Sequence, residues 1–194
     1  LKNGGIDFLS FEKLLDFHSN AGTDGIVLVG TTGESATLTK NERAEIFGFA
    51  RSETNIPLMA GVGSSSTTEA IALVESALEN DIKDCLAVTP YYNKPSQKGL
   101  ELHYKELSKV GANIILYNVP GRTGVDLLPS TIEKLIDIKT VTGIKEAVDS
   151  QDRFVALSKI KEKRHDFKLY SGDDPSYVEF MKFNGDGVIS VAAN

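Results

Sequence analysis

The sequence predicts an α/β protein built as a (β/α)8 (TIM) barrel, and three observations predict it. Seven short strand-forming runs alternate with helical patterns, most starting 27 to 32 residues after the previous one, the length of a βα unit. The runs are continuously apolar rather than alternating, as in parallel strands buried on both faces. Polar side chains gather where the strands end, at TTGES, PYYN, YNVPGRTG, KEA and SGDD. That is the face on which barrels of this class carry their chemistry.

The elements follow in order. LKNGGIDFLS reads as a loop into a helix, FEKLLDFH (11–18). The strand runs are GIVLVG (25–30), PLMAGVG (57–63), CLAVTPYY (85–92), NIILYNVP (113–120), VTGIKEA (141–147), KLYSGDD (168–174) and GVISVAAN (187–194). Between them ERAEIFGFA, EAIALVESAL and DRFVALSKI carry apolar residues at three- and four-residue spacing, the stripe that packs on a sheet. Thr39 with Glu42, Ser66 with Glu69 and Ser130 with Glu133 match the capping box, and Asp174-Pro175 matches an N-cap followed by proline.

A doubly wound open sheet is the competing architecture. It would show G-x-G-x-x-G at its first strand-to-helix turn; none occurs, and GVGSSS (61–66) is a partial match only. The strand count is one short of eight, which would leave two open sheet edges. The expectation is therefore a single barrel domain, 1–194, lacking the first strand and forming a fragment of a longer protein.

Composition narrows the function. The 194 residues are 41% hydrophobic and 25% charged with a net charge of −6, and lysines are scattered among acids. A nucleic-acid surface needs a basic stripe, so no nucleic-acid partner is expected. No apolar stretch approaches the roughly 20 residues of a membrane span, so no membrane partner is expected either. A single cysteine, Cys85, in an apolar run reads as a packed thiol and fits a reducing, cytoplasmic location. His18, His103 and His165 stand apart, without metal-ligand spacing, and no metal is expected.

Lys145 ends the run VTGIKEA. A lysine there is either a side chain reaching along the strand to water or a reactive amine. Its companions decide. GTTGES (30–35), VTPYYNKPS (88–96), ILYNVPGRTG (115–124), GIKEA (143–147) and SGDD (171–174) occur in this order, in register with strand ends. Together they resemble the dihydrodipicolinate synthase family, of the pyruvate-dependent class I aldolase and N-acetylneuraminate lyase superfamily. The resemblance covers essentially the whole chain.

It implies a (β/α)8 barrel with a C-terminal helical domain that this chain lacks. It also implies condensation of pyruvate with aspartate 4-semialdehyde through a lysine Schiff base, on the route to lysine and diaminopimelate. No metal or organic cofactor is implied; the only covalent species is the pyruvate imine on Lys145. Tyr117 of YNVP matches the proton-shuttling tyrosine, Thr32 its hydrogen-bonding partner, and Tyr92 a tyrosine supplied by a neighbouring subunit. The resemblance thus implies a homo-oligomer, a dimer or tetramer.

Thr31 and Thr32 match positions that hold the carboxylate of pyruvate, and Arg122 the residue that receives the carboxylate of the semialdehyde. Ile189 matches a backbone carbonyl lining the pyruvate site, and Gly172 allows close backbone approach. Asp173 is expected near the site and Asp174 as a helix cap, while Tyr91 is expected to be structural. Glu69 matches a residue that binds regulatory lysine in some relatives; Lys40 and Arg43 stand where some of those have histidine. Two alternatives remain: another pyruvate aldolase, such as a sugar-acid or N-acetylneuraminate lyase, and a catalytically inactive chain. Neuraminate lyases typically lack an arginine at the place of Arg122.

Overall fold

The computed structural model describes residues 4–194. The first helix, α1 (Phe8–Ala21), starts on the Asp7 carboxylate and stops at Gly22, whose left-handed backbone closes the last turn. Strand β1 (Ile26–Leu28) follows, then a 3-10 turn (Ser35–Thr37) and α2 (Lys40–Glu53). Both halves of the capping box at Thr39 and Glu42 form: the Thr39 hydroxyl accepts from Glu42 N–H, and the Glu42 carboxylate accepts from Thr39 N–H at 2.8 Å. Next come β2 (Leu58–Gly61), α3 (Thr67–Glu79), β3 (Asp84–Val88) and α4 (Gln97–Ser108).

The second half continues with β4 (Asn113–Asn118), two single-turn helices α5 (Pro120–Thr123) and α6 (Pro129–Ile132), and β5 (Val141–Glu146). It ends with α7 (Gln151–Lys163), β6 (Lys168–Ser171), α8 (Tyr177–Met181) and β7 (Gly187–Val188). All strand pairs are parallel, and their order across the sheet is their order in the chain, β1 to β7. This is the order of a (β/α)8 barrel; a doubly wound sheet would reverse direction part-way.

Several boundaries differ from the sequence reading. Proline ends β3 before Pro90 and turns the chain after β4 into α5 at Pro120, so both strands are shorter than their apolar runs. The run 187–194 gives only two strand residues; Val191 and Ala192 N–H bond to the Asp174 carboxylate instead of a neighbouring strand. Ser130 is no cap, because Pro129 already opens α6 with Leu128 before it. Ser66 caps α3, but Glu69 does not return the bond and takes the Ser64 hydroxyl at 2.6 Å.

Two apolar cores result. The larger, between sheet and helices, is filled by Phe47, Leu73, Leu100, Tyr104, Leu116 and Ile144, among others. The smaller lies inside the barrel around Leu86, Ile115 and Tyr117. Among the described residues no helix is long and apolar enough to cross a membrane.

His103 of α4 is sealed between helices. Its Nδ1 shares a 2.8 Å hydrogen bond with the Thr67 hydroxyl, and its Nε2 has no partner among the described residues. Burial pushes its pKa down to about 4. The unfolded chain therefore holds the extra proton, and this contribution to stability, intact above pH 6.5, is lost as pH falls toward 4. The loss should approach about 3 kcal/mol. Urea unfolding of the protein and of His103→Leu at pH 7 and 4.5 checks this: the gap between the two should shift toward the variant at the lower pH. A constant gap would refute it.

Candidate active site

The C-terminal ends of β4 and β5 carry the two central side chains. Tyr117 and Lys145 are register partners on these adjacent strands, and both are 7% exposed. Successive strand residues point to opposite faces. Tyr117 therefore faces the barrel interior while Asn118 faces the helix layer, and Lys145 and Glu146 divide likewise. The Lys145 Nζ stands 4.5 Å from the centre of the Tyr117 ring.

Burial dominates the charge state of Lys145 and pushes its pKa down to about 8, with the Asp174 carboxylate opposing. The ring face also favours the ammonium form, by a smaller amount. The Tyr117 phenol is pushed up by burial, against the pull of the Arg122 guanidinium and the Thr31 hydroxyl. Gly172 makes room for the lysine arm. A Cβ there would sit 2.8 Å from Lys145 Cε and 3.0 Å from Cγ, so any side chain would displace the amine.

The loop after β1 shapes the other wall. Val29 adopts a left-handed backbone (φ 54), which costs a β-branched residue about 1–3 kcal/mol, and lines a small cavity there. Thr31 lines the same cavity with Gly30, Ser35, Gly63, Val88 and Tyr117. A second, open cavity of about 680 Å³ continues outward past Val119, Tyr91, Tyr92, Lys94 and Arg122. That volume suits a small-molecule site.

The structure therefore brings Lys145, Tyr117, Thr31, Arg122 and Gly172 to one mouth. Two expectations need correction. Thr31, not Thr32, stands beside the phenol: the turn closed by Glu34 N–H on the Thr31 carbonyl leaves Thr32 exposed and outside both cavities. Asp173 and Asp174 exchange roles. The Asp173 carboxylate accepts from Ser176 N–H and hydroxyl at the start of α8. Asp174 is the acid whose charge reaches Lys145, and it ties down the loop after β7.

Tyr92, expected to serve a neighbouring subunit, is 93% exposed on a left-handed backbone (φ 73) and lines the outer cavity. Ile189 extends the pairing of β6 and β7 through its N–H to the Ser171 carbonyl at 2.9 Å. Tyr91 is half-buried and lines the outer cavity.

Sequence reasoning gave no role to the polar residues behind the pair, the buried Asn118, Glu146 and Arg153 and the half-exposed Asp126. Their signal was present: an asparagine and a glutamate inside strand runs otherwise apolar.

Similarity to known proteins agrees with this architecture. A 4-hydroxy-tetrahydrodipicolinate synthase of Stutzerimonas stutzeri is 48% identical over 194 residues, covering 98% of this chain and 66% of the relative. One from Escherichia coli O139:H28 is 46% identical over 197 residues, covering 100% of this chain and 66% of the relative. The chain thus spans about 66% of the length of these curated relatives. The crystal structure of dihydrodipicolinate synthase from Thermotoga maritima superposes with a TM-score of 0.95 at 40% identity, over 100% of this chain and 67% of that one. That of the chloride-inhibited enzyme from Acinetobacter baumannii, complexed with pyruvate, superposes with a TM-score of 0.93 at 43% identity, over 100% and 67%. Residues 1–194 match the family described as the dihydrodipicolinate synthetase family, and with the barrel order and the strand-end pair in place, the chain belongs to it.

Proposed function

We propose that the protein is a lyase that condenses pyruvate with L-aspartate 4-semialdehyde to 4-hydroxy-tetrahydrodipicolinate, in lysine and diaminopimelate biosynthesis. The observation that carries this reading is the buried Lys145 amine beside the Tyr117 phenol. An amine of pKa about 8 is about 10% neutral at pH 7, against about 0.03% at its ordinary value near 10.5. That is a gain of some 300-fold in the form that attacks a ketone.

The neutral amine adds to C2 of pyruvate, the carbonyl oxygen takes a proton from the Tyr117 side and leaves as water, and an imine remains. Loss of a proton from C3 gives the enamine, whose C3 attacks the aldehyde carbon of the second substrate. The amino group of that substrate then attacks C2, closing the ring and releasing Lys145. One water is lost overall. In this reading the Thr31 hydroxyl, beside the phenol and lining the small cavity, passes protons outward. Arg122, exposed on the outer cavity, offers a guanidinium to the incoming carboxylate. The chemistry needs no metal or organic cofactor.

The exposure of Tyr92 supports a homo-oligomer in which this tyrosine sits at a subunit boundary, and a cytoplasmic location fits the substrates. Borohydride reduction in the presence of labelled pyruvate tests the core of the reading. The label is expected on the peptide carrying Lys145; labelling elsewhere would sink the mechanism. Turnover with aspartate semialdehyde, and none with sugar aldehydes, is expected of Arg122.

A further inference from the structure

The register between β4 and β5 is not uniform. At their N-terminal ends Ile114 is opposite Val141, but Ile115 is opposite Gly143, so Thr142 is an extra residue. Continued from the lower register, the pairing would have put Tyr117 opposite Ile144 and Lys145 opposite Asn118. The interruption is visible in the packing too. Val141 and Ile144, three apart, both point into the outer core, where strict alternation would separate them. A one-residue slip moves every following side chain to the other face. The shift thus decides whether the lysine faces the barrel interior, and bulges of this kind occur beside active sites, where they re-aim a side chain.

Immediately above, the outward neighbours of the reacting pair are bound together. The Asn118 amide donates to both Glu146 carboxylate oxygens, at 2.9 and 3.1 Å, and to Asp126 at 2.8 Å, while its oxygen accepts from Leu127 N–H at 2.9 Å. Glu146, 1% exposed, also accepts from Val148 N–H at 2.9 Å, with the Arg153 Nε 3.8 Å away. Arg153 of α7 grips Asp126 through both carboxylate oxygens, at 2.7 and 2.5 Å, and donates to the Leu127 carbonyl at 2.8 Å.

A buried ionic network of this sort contributes little net stability compared with well-packed apolar side chains. Its distinctive property is direction: Asn118 and Glu146 meet in one register only. Slipped by one residue, Glu146 would turn toward the barrel interior and leave its hydrogen bonds unmade, at a cost of several kcal/mol.

We propose that Asn118 and Glu146, braced by Arg153 and Asp126, are positioning residues that lock β5 in the shifted register and so hold the Lys145 amine against Tyr117. The proposal rests on the imine chemistry above. A displacement of about 1 Å at a reacting group can cost about 100-fold in rate. Glu146→Ala should therefore form the borohydride-trapped pyruvate adduct about 10- to 100-fold more slowly per folded molecule. Its kcat should fall in parallel and its KM for pyruvate should change by less than about 3-fold. Glu146→Gln keeps one acceptor oxygen, to which both Asn118 and Val148 N–H can donate, and should recover to within about 3-fold.

A role in stability alone would lower the melting temperature and leave the trapping rate per folded molecule unchanged, which overturns the proposal. If Glu146→Ala does not fold, Asp126→Asn at the half-exposed edge decides: slower trapping supports the clamp and an unaltered rate overturns it. Trapping at Lys145 in the unaltered protein, with equal trapping in the variants, refutes the clamp alone. No trapping in the unaltered protein refutes the reading beneath it.

Discussion

Lys145→Met should abolish adduct formation with pyruvate and lower turnover by at least about 10⁴-fold, because the nucleophile itself is gone. Methionine keeps the unbranched arm that threads past Gly172, so the loss would report chemistry rather than collapse. The same substitution should stabilise the fold. Burial holds the lysine pKa at about 8, below its ordinary value near 10.5, so at pH 7 the folded protein binds this proton less readily than the unfolded chain. The deficit is present below about pH 8 and relieved as pH rises toward 10.5. Removing the amine at pH 7 recovers up to about 3 kcal/mol, a rise of several degrees in Tm for a chain of this size. A calorimetric scan beside the activity assay checks both signs. Retained turnover, or a fall in Tm, would contradict the placement of a costly buried amine for catalysis.

Tyr117→Phe should lower kcat by about 10²- to 10⁴-fold, the range for loss of a positioned proton-transfer group. The ring beneath the lysine remains, so the substitution removes one oxygen from the site. The KM for pyruvate should move by only a few-fold, and adduct formation should slow because water must leave the carbinolamine without the phenol. A variant with near-normal kcat would remove Tyr117 from the proton path and leave Thr31 without a partner in it.

How far the sequence carried depends on what each element required. Strand order, the helix stripes and the Thr39 cap follow from period and local hydrogen bonding, and they were legible. The position of Lys145 stood out as a charge at the end of a strand run, whereas Tyr117 was singled out only by the resemblance, since an aromatic closing an apolar strand reads as core packing. The choice between Thr31 and Thr32 was not: in GTTG both hydroxyls look alike, and only the backbone after Val29 decides which faces the phenol. Asp173 and Asp174 exchanged roles for a similar reason, since α8 starts at Tyr177 rather than directly after Pro175.

Strand β7 was read too long because an apolar run shows burial and not pairing. Ser130-x-x-Glu133 matched a cap pattern whose place Pro129 had already taken. The shift at Thr142 leaves no trace in composition, yet it reverses the face of every residue after it. Asn118 and Glu146 were visible as letters, but their meaning needed the knowledge of which way they point.

The chain-order sheet has a consequence for assembly. Tyr117 and Lys145 lie only 28 residues apart, on strands that are neighbours in both sequence and space. The loop that must close to bring them together is short, and its entropy cost grows only slowly with length. The Tyr117–Lys145 pair is therefore the property of two neighbouring strands and the short connection between them. It can come together when β5 docks on β4, before either edge of the sheet has found its place.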